Sequence, residues 1–420
     1  MSDPVADSVQ QEILARIDRG RLVKTVIEAV SISSPTGDEL EIAEWMRDTL
    51  EALDLDVRLQ EVEEGRANVL GTWAGAGGGP TLMFNGHMDT SYSGAEPWLR
   101  GIPGFRPEGF EEDGYIYGLG VANMKGALCC YLEALRALQD AGVRLRGDLL
   151  IAAVAGEIEK TQYGDEFRGR LYRGYSAGSR HLVQHGGVAD ICILGEPTEH
   201  KIVLAHFGAM WARISTHGPF IHTAFSRERQ QENSIRRMQD VIAAVDRFIP
   251  EWEAEMQHEG VPAMANIGAV QGGMAWRASR TPRQTDLFLD LRVPPRVPMA
   301  TARRRFLDFV RELAERHPEH DIDGEVYLTA PGAEVGEGDV VVAAVDAAHK
   351  VVNGREPERD IVHWYSDASA LTRYGIQTVN YGTASGLPSA EKGENVEIDG
   401  LINVTKVYAL AAAQLCGVDR

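Results

Sequence analysis

Apolar residues in the first half of the chain alternate between helical spacing and short strand-like runs. From 42 to 53 they recur every three or four residues after Thr36-Gly37-Asp38-Glu39, which predicts a helix that begins with a capping box. A second helix is expected at about 125–141. Strands that alternate with helices and are apolar on both faces indicate a doubly wound α/β sheet. The runs that predict these strands are 56–62, 68–73, 81–85, 148–155 and 190–195.

The pattern changes between 202 and 330. There it predicts a strand, a long helix, two strands, a helix and a strand, in the order βαββαβ. This order is typical of the ferredoxin-like unit, which closes a small sheet of its own. From 331 onwards helices and strands alternate again. We therefore expect a main domain in two segments, 1–201 and 331–420, with a second domain inserted at 202–330.

Length, charge and cysteine usage narrow the class of protein. A chain of 420 residues with 44% hydrophobic content has the size of two domains. Its formal net charge of -20 argues against nucleic acid or an anionic membrane as a partner, because both would be repelled. The sequence has no long apolar stretch, no secretory signal pattern, and no cysteine spacing typical of disulfides or zinc. A cytoplasmic location is the expectation.

Polar residues follow several of the predicted strands. His87-Met88-Asp89 comes after strand 81–85, Glu157 after strand 148–155, and Glu196 after strand 190–195. Ligand-binding residues commonly lie at the carboxyl ends of sheet strands, and a glutamate there is costly to bury unless it binds a cation or holds a proton. Asp89 could hold the second ring nitrogen of His87, as metal-ligating histidines require. Each feature alone could be an ordinary loop, but together they favour a shared metal cleft.

These motifs resemble those of the acetylornithine deacetylase and succinyl-diaminopimelate desuccinylase family of metallopeptidases. The similarity covers nearly the whole chain. It implies a hydrolase with two metal ions on the main domain and an inserted lid or dimerisation domain that supplies a histidine to a neighbouring subunit. The motifs concerned are His87-x-Asp89, a glycine-rich loop that leads through Asn123 to Met124-Lys125-Gly126, Glu157, Gly195-Glu196-Pro197-Thr198, Asp290-Leu291-Arg292 and Ser366-Asp367-Ala368.

Carried over position by position, the resemblance assigns a role to each main-domain residue. His87 and Glu196 would hold one metal ion, Asp89 would orient His87, and Glu157 would be the general base. The family's bridging aspartate falls on Asn123. An amide oxygen is a weaker, neutral ligand, so the metal should be loosely held.

The remaining ligands of the family are absent from this sequence. A glutamate that binds the second ion falls on Ile158, and the late histidine of that ion falls within 389–392, where there is no histidine. Both losses affect the same ion. We therefore expect one weakly held divalent transition metal per chain, Mn, Zn or Co, bound by His87, Asn123 and Glu196.

The altered ligand set is similar to that of family members that replace an aromatic amine with hydroxyl. This resemblance implies conversion of 5-nitroanthranilate to 5-nitrosalicylate and ammonia, by attack of metal-activated water on the ring carbon. The nitro group para to the amine would stabilise negative charge on the ring, so one ion could suffice. Two alternatives remain open: an amidohydrolase that acts on N-acyl amino acids, and an inactive protein that binds a small carboxylate or serves as a scaffold.

Three residues of the inserted domain are candidates for binding a small aromatic or amino-acid-like carboxylate. His222 matches the family's lid histidine, Arg292 could bind a carboxylate or nitro group bidentately, and His206 is a possible pocket residue. His222 could equally be a loop histidine, and Arg292 could form an ion pair at a domain interface. The edge strands of the βαββαβ unit predict a homodimer or a larger homo-oligomer.

Overall fold

The chain divides into two compact units in the computed structural model, which describes residues 5–163, 172–384, 386–389 and 392–419. The main unit comprises Met1–Leu204, Glu334–Asp360 and Ser366–Arg420. The inserted unit comprises Ala205–Ala333 and the short segment Ile361–Tyr365, which the sequence analysis did not assign to it.

Helices and strands alternate along most of the chain. No helix in these described ranges has the length and apolar character needed to cross a membrane. The helices are α1 (Asp7–Ala15), α2 (Arg19–Val30), α3 (Leu40–Glu51), α4 (Gly126–Asp140), α5 (Ala177–Gln184), α6 (Ser234–Glu255), α7 (Met299–Arg316), α8 (Val340–Asn353), α9 (Ala368–Leu371) and α10 (Ile398–Cys416). The strands are β1 (Asp56–Glu63), β2 (Arg66–Trp73), β3 (Leu82–His87), β4 (Phe110–Glu112), β5 (Tyr115–Tyr117), β6 (Leu149–Val154), β7 (Ile191–Leu194), β8 (Ile202–His206), β9 (Gly208–His217), β10 (Gln257–His258), β11 (Val261–Pro262), β12 (Ala265–Gly272), β13 (Gln284–Val293), β14 (Ile322–Ala330), β15 (Ala333–Glu334), β16 (Arg359–Val362), β17 (Gln377–Asn380), β18 (Gly386–Ser389) and β19 (Gly393–Glu397).

The main unit is organised around a mixed sheet with the strand order β1-β2-β6-β3-β7-β17-β8-β15, and β16 pairs with β8. Strands β6, β3, β7 and β17 run parallel, whereas β1 and β2 pair antiparallel at one side. Strands β3, β6 and β7 are buried along their whole length, which accounts for the apolar sequences of β6 and β7 and of the first half of β3. The predicted α/β class is confirmed, and the parallel strands end at one shared edge.

Helix α3 confirms the helix predicted after Thr36, but the predicted capping box is wrong. The helix begins at Leu40, and the side chain of its N-cap residue Glu39 makes no capping hydrogen bond. Thr36 Oγ1 donates instead to Asp89 Oδ2 at 2.9 Å, and Glu39 accepts two hydrogen bonds of 2.6 Å from the buried guanidinium of Arg66. Both side chains that the capping box would use are therefore engaged in long-range contacts.

The inserted unit has the predicted βαββαβ order. Its antiparallel sheet has the strand order β12-β13-β9-β14. Helices α6 and α7 contribute its apolar core, where the rings of Phe248 and Phe309 stack with centroids 4.1 Å apart. The single strand predicted at 202–216 is two strands, β8 and β9, because β8 pairs in the sheet of the main unit and β9 in that of the inserted unit.

Strand β12 generates a prediction about assembly, since it is an edge strand of the inserted sheet and most of its residues are exposed. Val270 on this strand is 52% exposed. Exposed apolar edge strands are sites for pairing with a second chain. We predict a homodimer formed through β12, and we expect Val270→Lys to shift it towards monomer in sedimentation velocity at micromolar concentration.

The control for this experiment is Val351→Lys, which places the same charge on α8 of the main unit. Val351 is exposed to a similar degree, 49%, and we expect that variant to sediment like the unmodified protein. A monomeric unmodified protein, or equal dissociation of the two variants, would contradict pairing through β12.

Candidate metal centre

Three adjacent parallel strands bring the predicted metal-binding side chains together. Strand β3 lies between β6 and β7 and ends at His87, while Glu157 and Glu196 follow β6 and β7. The Nε2 atom of His87 lies 3.7 Å from Glu157 Oε2 and 3.9 Å from Glu196 Oε1. The possible ligand atoms of these three buried residues all lie within 4.8 Å of one another.

Asp89 fixes both the ring of His87 and the chain that carries Glu157. His87 Nδ1 lies 2.9 Å from the main-chain oxygen of Asp89 and 3.5 Å from its Oδ1. The same carboxylate accepts hydrogen bonds from the backbone N–H groups of Glu157 (3.0 Å) and Ile158 (3.2 Å). With Nδ1 held in this way, Nε2 is the ring nitrogen that faces the two glutamates.

Asn123 lies beside His87, where the sequence places a third ligand. Its Oδ1 atom is 2.8 Å from His87 Nε2. Asn123 is part of an irregular turn, Val121–Lys125, that leads into α4, and its backbone angles are not helical. The irregular turn thus directs the Asn123 amide oxygen towards the ring nitrogen of His87.

Burial shifts the protonation of the acidic groups in this cluster. Burial, reinforced by the negative charge of Glu196, raises the pKa of Glu157 well above its ordinary value. Burial raises the pKa of Glu196 to about 7. Burial by itself would lower the pKa of His87, but the hydrogen bond with Asp89 and the charges of Glu196 and Glu157 raise it. The cluster therefore binds protons more tightly than exposed groups of the same kinds would.

The residues present fit a divalent cation. Within the described ranges, Oε1 of Glu157 and Oε1 of Glu196 are buried and accept no hydrogen bond. A buried carboxylate oxygen without a partner is costly unless a cation or a proton compensates for it. One imidazole, one amide oxygen and the carboxylate of Glu196 form a donor set that Mn, Zn or Co accepts, and the carboxylate of Glu157 lies beside it.

A sequence profile of peptidase family M20/M25/M40 matches residues 83–414. The chain belongs to this family. It is 24% identical over 413 residues to N-formyl-4-amino-5-aminomethyl-2-methylpyrimidine deformylase of Bacillus subtilis, covering 92% of each chain. It is 27% identical over 413 residues to succinyl-diaminopimelate desuccinylase of Gluconacetobacter diazotrophicus, covering 94% of this chain and 96% of the relative.

Solved structures share the fold of this M20-family chain. Human carnosine dipeptidase 1 matches with a TM-score of 0.74 at 14% identity, over 99% of this chain and 100% of that one. A tripeptidase from Staphylococcus aureus matches with a TM-score of 0.71 at 21% identity, over 95% of this chain and 100% of that one. The family resemblance seen in the sequence is confirmed, and the protein is a metal-dependent hydrolase that acts on C–N bonds.

Ile158 lies at the position that the family resemblance assigns to a ligand of a second metal ion. Ile158 has no atom that can ligate a metal, and its side chain is only 7% exposed. Of the residues 389–392, where the family resemblance places the late histidine, 390 and 391 lie outside the described residues. Elsewhere in the described main unit, no further group of three histidine, cysteine or acidic side chains has converging ligand atoms.

Asp367, which belongs to the motif Ser366-Asp367-Ala368, is a site residue to which the sequence assigned no role. This carboxyl group is fully buried, and its charge raises the pKa values of Glu157 and Glu196. Burial also raises the pKa of Asp367, although the nearby hydroxyl groups of Ser176 and Ser179 oppose that shift. The sequence signal was present but weak, because the preceding strand β16 is short and contains two charged residues.

Glu394 is a second residue that the sequence analysis did not identify. Its Oε2 accepts a hydrogen bond from the N–H of Gly120 (2.8 Å), and its Oε1 accepts from Ala122 (2.9 Å) and Asn123 (3.1 Å). Three donors that converge on one carboxylate hold the backbone of the turn from both sides. Glu394 therefore fixes the position of Asn123 without pointing at the metal centre itself.

The inserted-unit candidates have other contacts within their own unit. Arg292 Nη2 lies 2.8 Å from Asp290 Oδ2 on the same strand. The ring of His206 is buried, with Nδ1 2.9 Å from the main-chain oxygen of Phe207. His222 is partly exposed, and its Nδ1 accepts a hydrogen bond from the N–H of Ala224 at 3.2 Å. Roles for His222, Arg292 and His206 in substrate binding stay predictions.

The raised pKa of Glu196 generates a prediction about pH. Below a pH of about 7 the carboxyl group is protonated, so a metal ion must displace a proton in order to bind. Affinity for Mn²⁺ should therefore rise between pH 6 and pH 8, by up to about tenfold per unit for each proton displaced. Calorimetric titration in two buffers of different ionisation enthalpy measures both the affinity and the protons released. An affinity that is constant over this range would contradict the assignment.

The three hydrogen bonds to Glu394 generate a prediction about metal affinity. In Glu394→Gln one acceptor oxygen becomes an NH₂ group that faces an N–H donor, so the turn loses support. We expect Mn²⁺ binding to weaken on the order of 10- to 100-fold, the range seen when groups that orient metal ligands are lost. Glu133→Gln is the control, because Glu133 is a buried carboxylate of α4 that accepts hydrogen bonds from Asp18 N and Arg21.

A double-mutant cycle separates positioning from general destabilisation. If Glu394 acts through Asn123, adding Glu394→Gln to Asn123→Ala should cause no further loss of Mn²⁺ affinity, while the losses in Tm add. Additive losses of affinity would show that Glu394 does not act through Asn123.

Proposed function

We propose that this M20-family hydrolase is an aminohydrolase that converts 5-nitroanthranilate to 5-nitrosalicylate and ammonia. The observation that carries the proposal is the asymmetry of the metal centre. His87, Asn123 and Glu196 provide ligands for one ion, while apolar Ile158 occupies the position of a second-ion ligand. The nitro group of 5-nitroanthranilate can itself accept negative charge, so the reaction needs less stabilisation from the metal and could proceed with one weakly held ion.

The reaction replaces a C–N bond of the ring carbon with a C–O bond. The oxygen of water forms a bond to the ring carbon that carries the amine, the ring C–N bond breaks, and the nitrogen leaves as ammonia. The para nitro group accepts the negative charge that builds on the ring. A divalent metal held by His87, Asn123 and Glu196 would supply Lewis acidity, which lowers the pKa of bound water and offsets negative charge.

Glu157 is the residue proposed to move the proton. Its buried carboxylate has a raised pKa, which makes it a stronger base than an exposed glutamate. It would take a proton from the attacking water and return it to the departing nitrogen. Asp89 supports both functions, because it holds the backbone of Glu157 and the ring of His87.

Groups for the substrate's carboxylate and nitro oxygens are proposed in the inserted unit. Arg292 is the candidate for a planar anion, which it could bind bidentately after exchanging its partner Asp290. His222 would polarise the substrate, from the neighbouring subunit if the dimer forms as in the family resemblance. His206 packs on Trp364 and Tyr365, so its proposed contribution is to the shape of the pocket.

An amidohydrolase acting on N-acyl amino acids is the second candidate. The names of the matched relatives favour it, since they describe a deformylase and a desuccinylase. Membership of a family of hydrolases argues against the third alternative, an inactive binding or scaffold protein.

Turnover of matched substrates decides between these candidates. The purified protein is incubated with Mn²⁺ and either 5-nitroanthranilate or a series of N-formyl, N-acetyl and N-succinyl amino acids. The proposal expects a change in the ring absorption spectrum, one ammonia per 5-nitrosalicylate, and no release of acyl groups. Release of a carboxylic acid from an N-acyl substrate without change in 5-nitroanthranilate would replace the proposal by the amidohydrolase.

The role of Glu157 generates a further prediction. Glu157→Gln keeps the shape of the side chain but cannot take a proton, so kcat should fall on the order of 1000-fold while Mn²⁺ affinity changes little. Glu159→Gln is the matched control two residues along the chain and should remain active. An active Glu157→Gln variant together with an inactive Glu159→Gln variant would assign the base to Glu159.

The loosely held metal also generates a prediction about substrate. With Glu196 as its one carboxylate ligand, the ion retains positive charge that the carboxylate of 5-nitroanthranilate can neutralise. Metal and substrate should therefore strengthen each other's binding by the same factor. Calorimetric titration of Mn²⁺ into Glu157→Gln protein, with and without 5-nitroanthranilate, measures this factor. Equal dissociation constants would show that the substrate does not contact the ion.

A further inference from the structure

Two histidines and an aspartate come together in the inserted unit, at the end of α7. Helix α7 ends at Arg316, His317 follows it directly, and a short turn then leads to His320. Asp240 projects from the neighbouring helix α6. The possible ligand atoms of these three residues lie within 4.8 Å of one another, and none of them belongs to the metal centre described above.

The orientation of the two imidazole rings is the second observation. Their centroids are 4.8 Å apart and their planes differ by 20°. Glu319 Oε1 lies 3.2 Å from His320 Nδ1 and 3.7 Å from His317 Nδ1, so one carboxylate serves the same edge of both rings. On the opposite edge, His320 Nε2 is 2.8 Å from Asp240 Oδ2. The rings are therefore aligned, with a carboxylate at each edge.

We propose that Asp240, His317 and His320 form a second, zinc-type metal site in the inserted unit. Two imidazoles and a carboxylate are a common donor set for Zn²⁺, with one position left for water. The Glu319 carboxylate lies near the Nδ1 edge of both rings, on the side away from Asp240, and its negative charge there would favour cation binding by the rings. A metal at this site would connect the end of α7 to α6.

The proposed site should differ from the main-unit centre in its metal preference. The main-unit centre offers one ring nitrogen, and its other donors are oxygens. The site in the inserted unit offers two ring nitrogens. Imidazole ligands bind Zn²⁺ much more strongly than Mn²⁺. With oxygen ligands the preference for Zn²⁺ over Mn²⁺ is smaller. Mn²⁺ should therefore bind at one site per chain and Zn²⁺ at two.

An ordinary ion pair between His320 and Asp240 is the competing explanation of the cluster. Such a pair needs a protonated His320 and makes no use of His317. The metal site needs both rings, since neither His320 nor His317 alone provides two nitrogen donors. His317 is therefore the residue that separates the two explanations. It directly follows α7 and is partly exposed, and the contact between His320 and Asp240 involves no atom of His317, so we expect its replacement to leave that contact in place.

Zinc titration of the full chain tests the proposal. Calorimetry with Zn²⁺ should show two sites in the unmodified protein and one in His317→Ala, with the lost site weakened at least tenfold. Asp240→Asn, which keeps a hydrogen-bonding group beside His320, should lose the same site. His87→Ala should lose the other one. Zn²⁺ should raise the Tm of His87→Ala, and this rise should disappear in the double variant His87→Ala/His317→Ala.

A matched histidine provides the control. His217 of the inserted unit also has two acidic neighbours, Asp321 (4.0 Å) and Asp323 (3.5 Å). It lacks a second aligned imidazole, so His217→Ala should bind two zinc ions. The proposal is overturned if His317→Ala binds Zn²⁺ with the same stoichiometry and affinity as the unmodified protein, or if His217→Ala loses as much binding as His317→Ala.

Discussion

Negative charge without a matching partner is concentrated at the carboxyl ends of β6, β3 and β7. The carboxyl groups of Asp89, Glu157, Glu196 and Asp367 are buried there with a single imidazole, that of His87. Burial of an unpaired ion costs several kcal/mol even after relaxation, by an order-of-magnitude estimate. The parallel sheet brings His87, Glu157 and Glu196 together, because neighbouring parallel strands end at the same edge, and Asp367 joins them from the start of α9. Either a divalent cation or bound protons must compensate this negative charge. The hydrolytic chemistry of the family depends on a divalent cation.

Hydrogen bonds divide the carboxylates of the main unit into two kinds. Asp89 and Glu394 accept backbone N–H groups, and each of them fixes a segment that carries another functional residue. Glu157 and Glu196, in contrast, each have an oxygen that accepts no hydrogen bond within the described chain. Carboxylates of the first kind, Asp89 and Glu394, position other residues of the site. Carboxylates of the second kind, Glu157 and Glu196, can bind a metal ion or a proton. Burial raises the pKa values of Glu157, Glu196 and Glu394, whereas for Asp89 the hydrogen bond and charge of His87 outweigh burial and lower the pKa.

The proposed one-metal ligand set would affect the electrophile that the enzyme can attack. An amide carbonyl has no electron sink of its own and benefits from strong polarisation. A ring that carries a para nitro group stabilises its own negative charge. Replacement of the bridging aspartate by Asn123 and of a glutamate by Ile158 is therefore consistent with the proposed aromatic substrate. His87, Asp89 and Glu157 are the residues that the proposal assigns to activating the attacking water in either reaction.

Much of this protein was determined by local sequence patterns. Apolar periodicity predicted α3, α4, α6, α7 and the buried strands, because side-chain spacing follows backbone geometry directly. The order βαββαβ predicted the inserted sheet. The sequence also predicted that His87, Glu157 and Glu196 lie close together. Each follows an apolar strand, and the carboxyl ends of parallel strands lie at the same edge of the sheet.

Tertiary structure decided what depends on groups that are distant in sequence. Thr36 and Glu39 read as a capping box, but contacts with Asp89 and Arg66 engage both side chains. Glu394 supports Asn123 across 271 positions of the chain, and no local pattern encodes that contact. Asp240 meets His317 and His320 only because α6 and α7 pack on the same sheet. The local sequence determines which side chains lie on each face or at each end of a strand or helix. The packing of these elements determines which of those side chains come into contact. Hydrogen bonds and pKa shifts depend on these contacts.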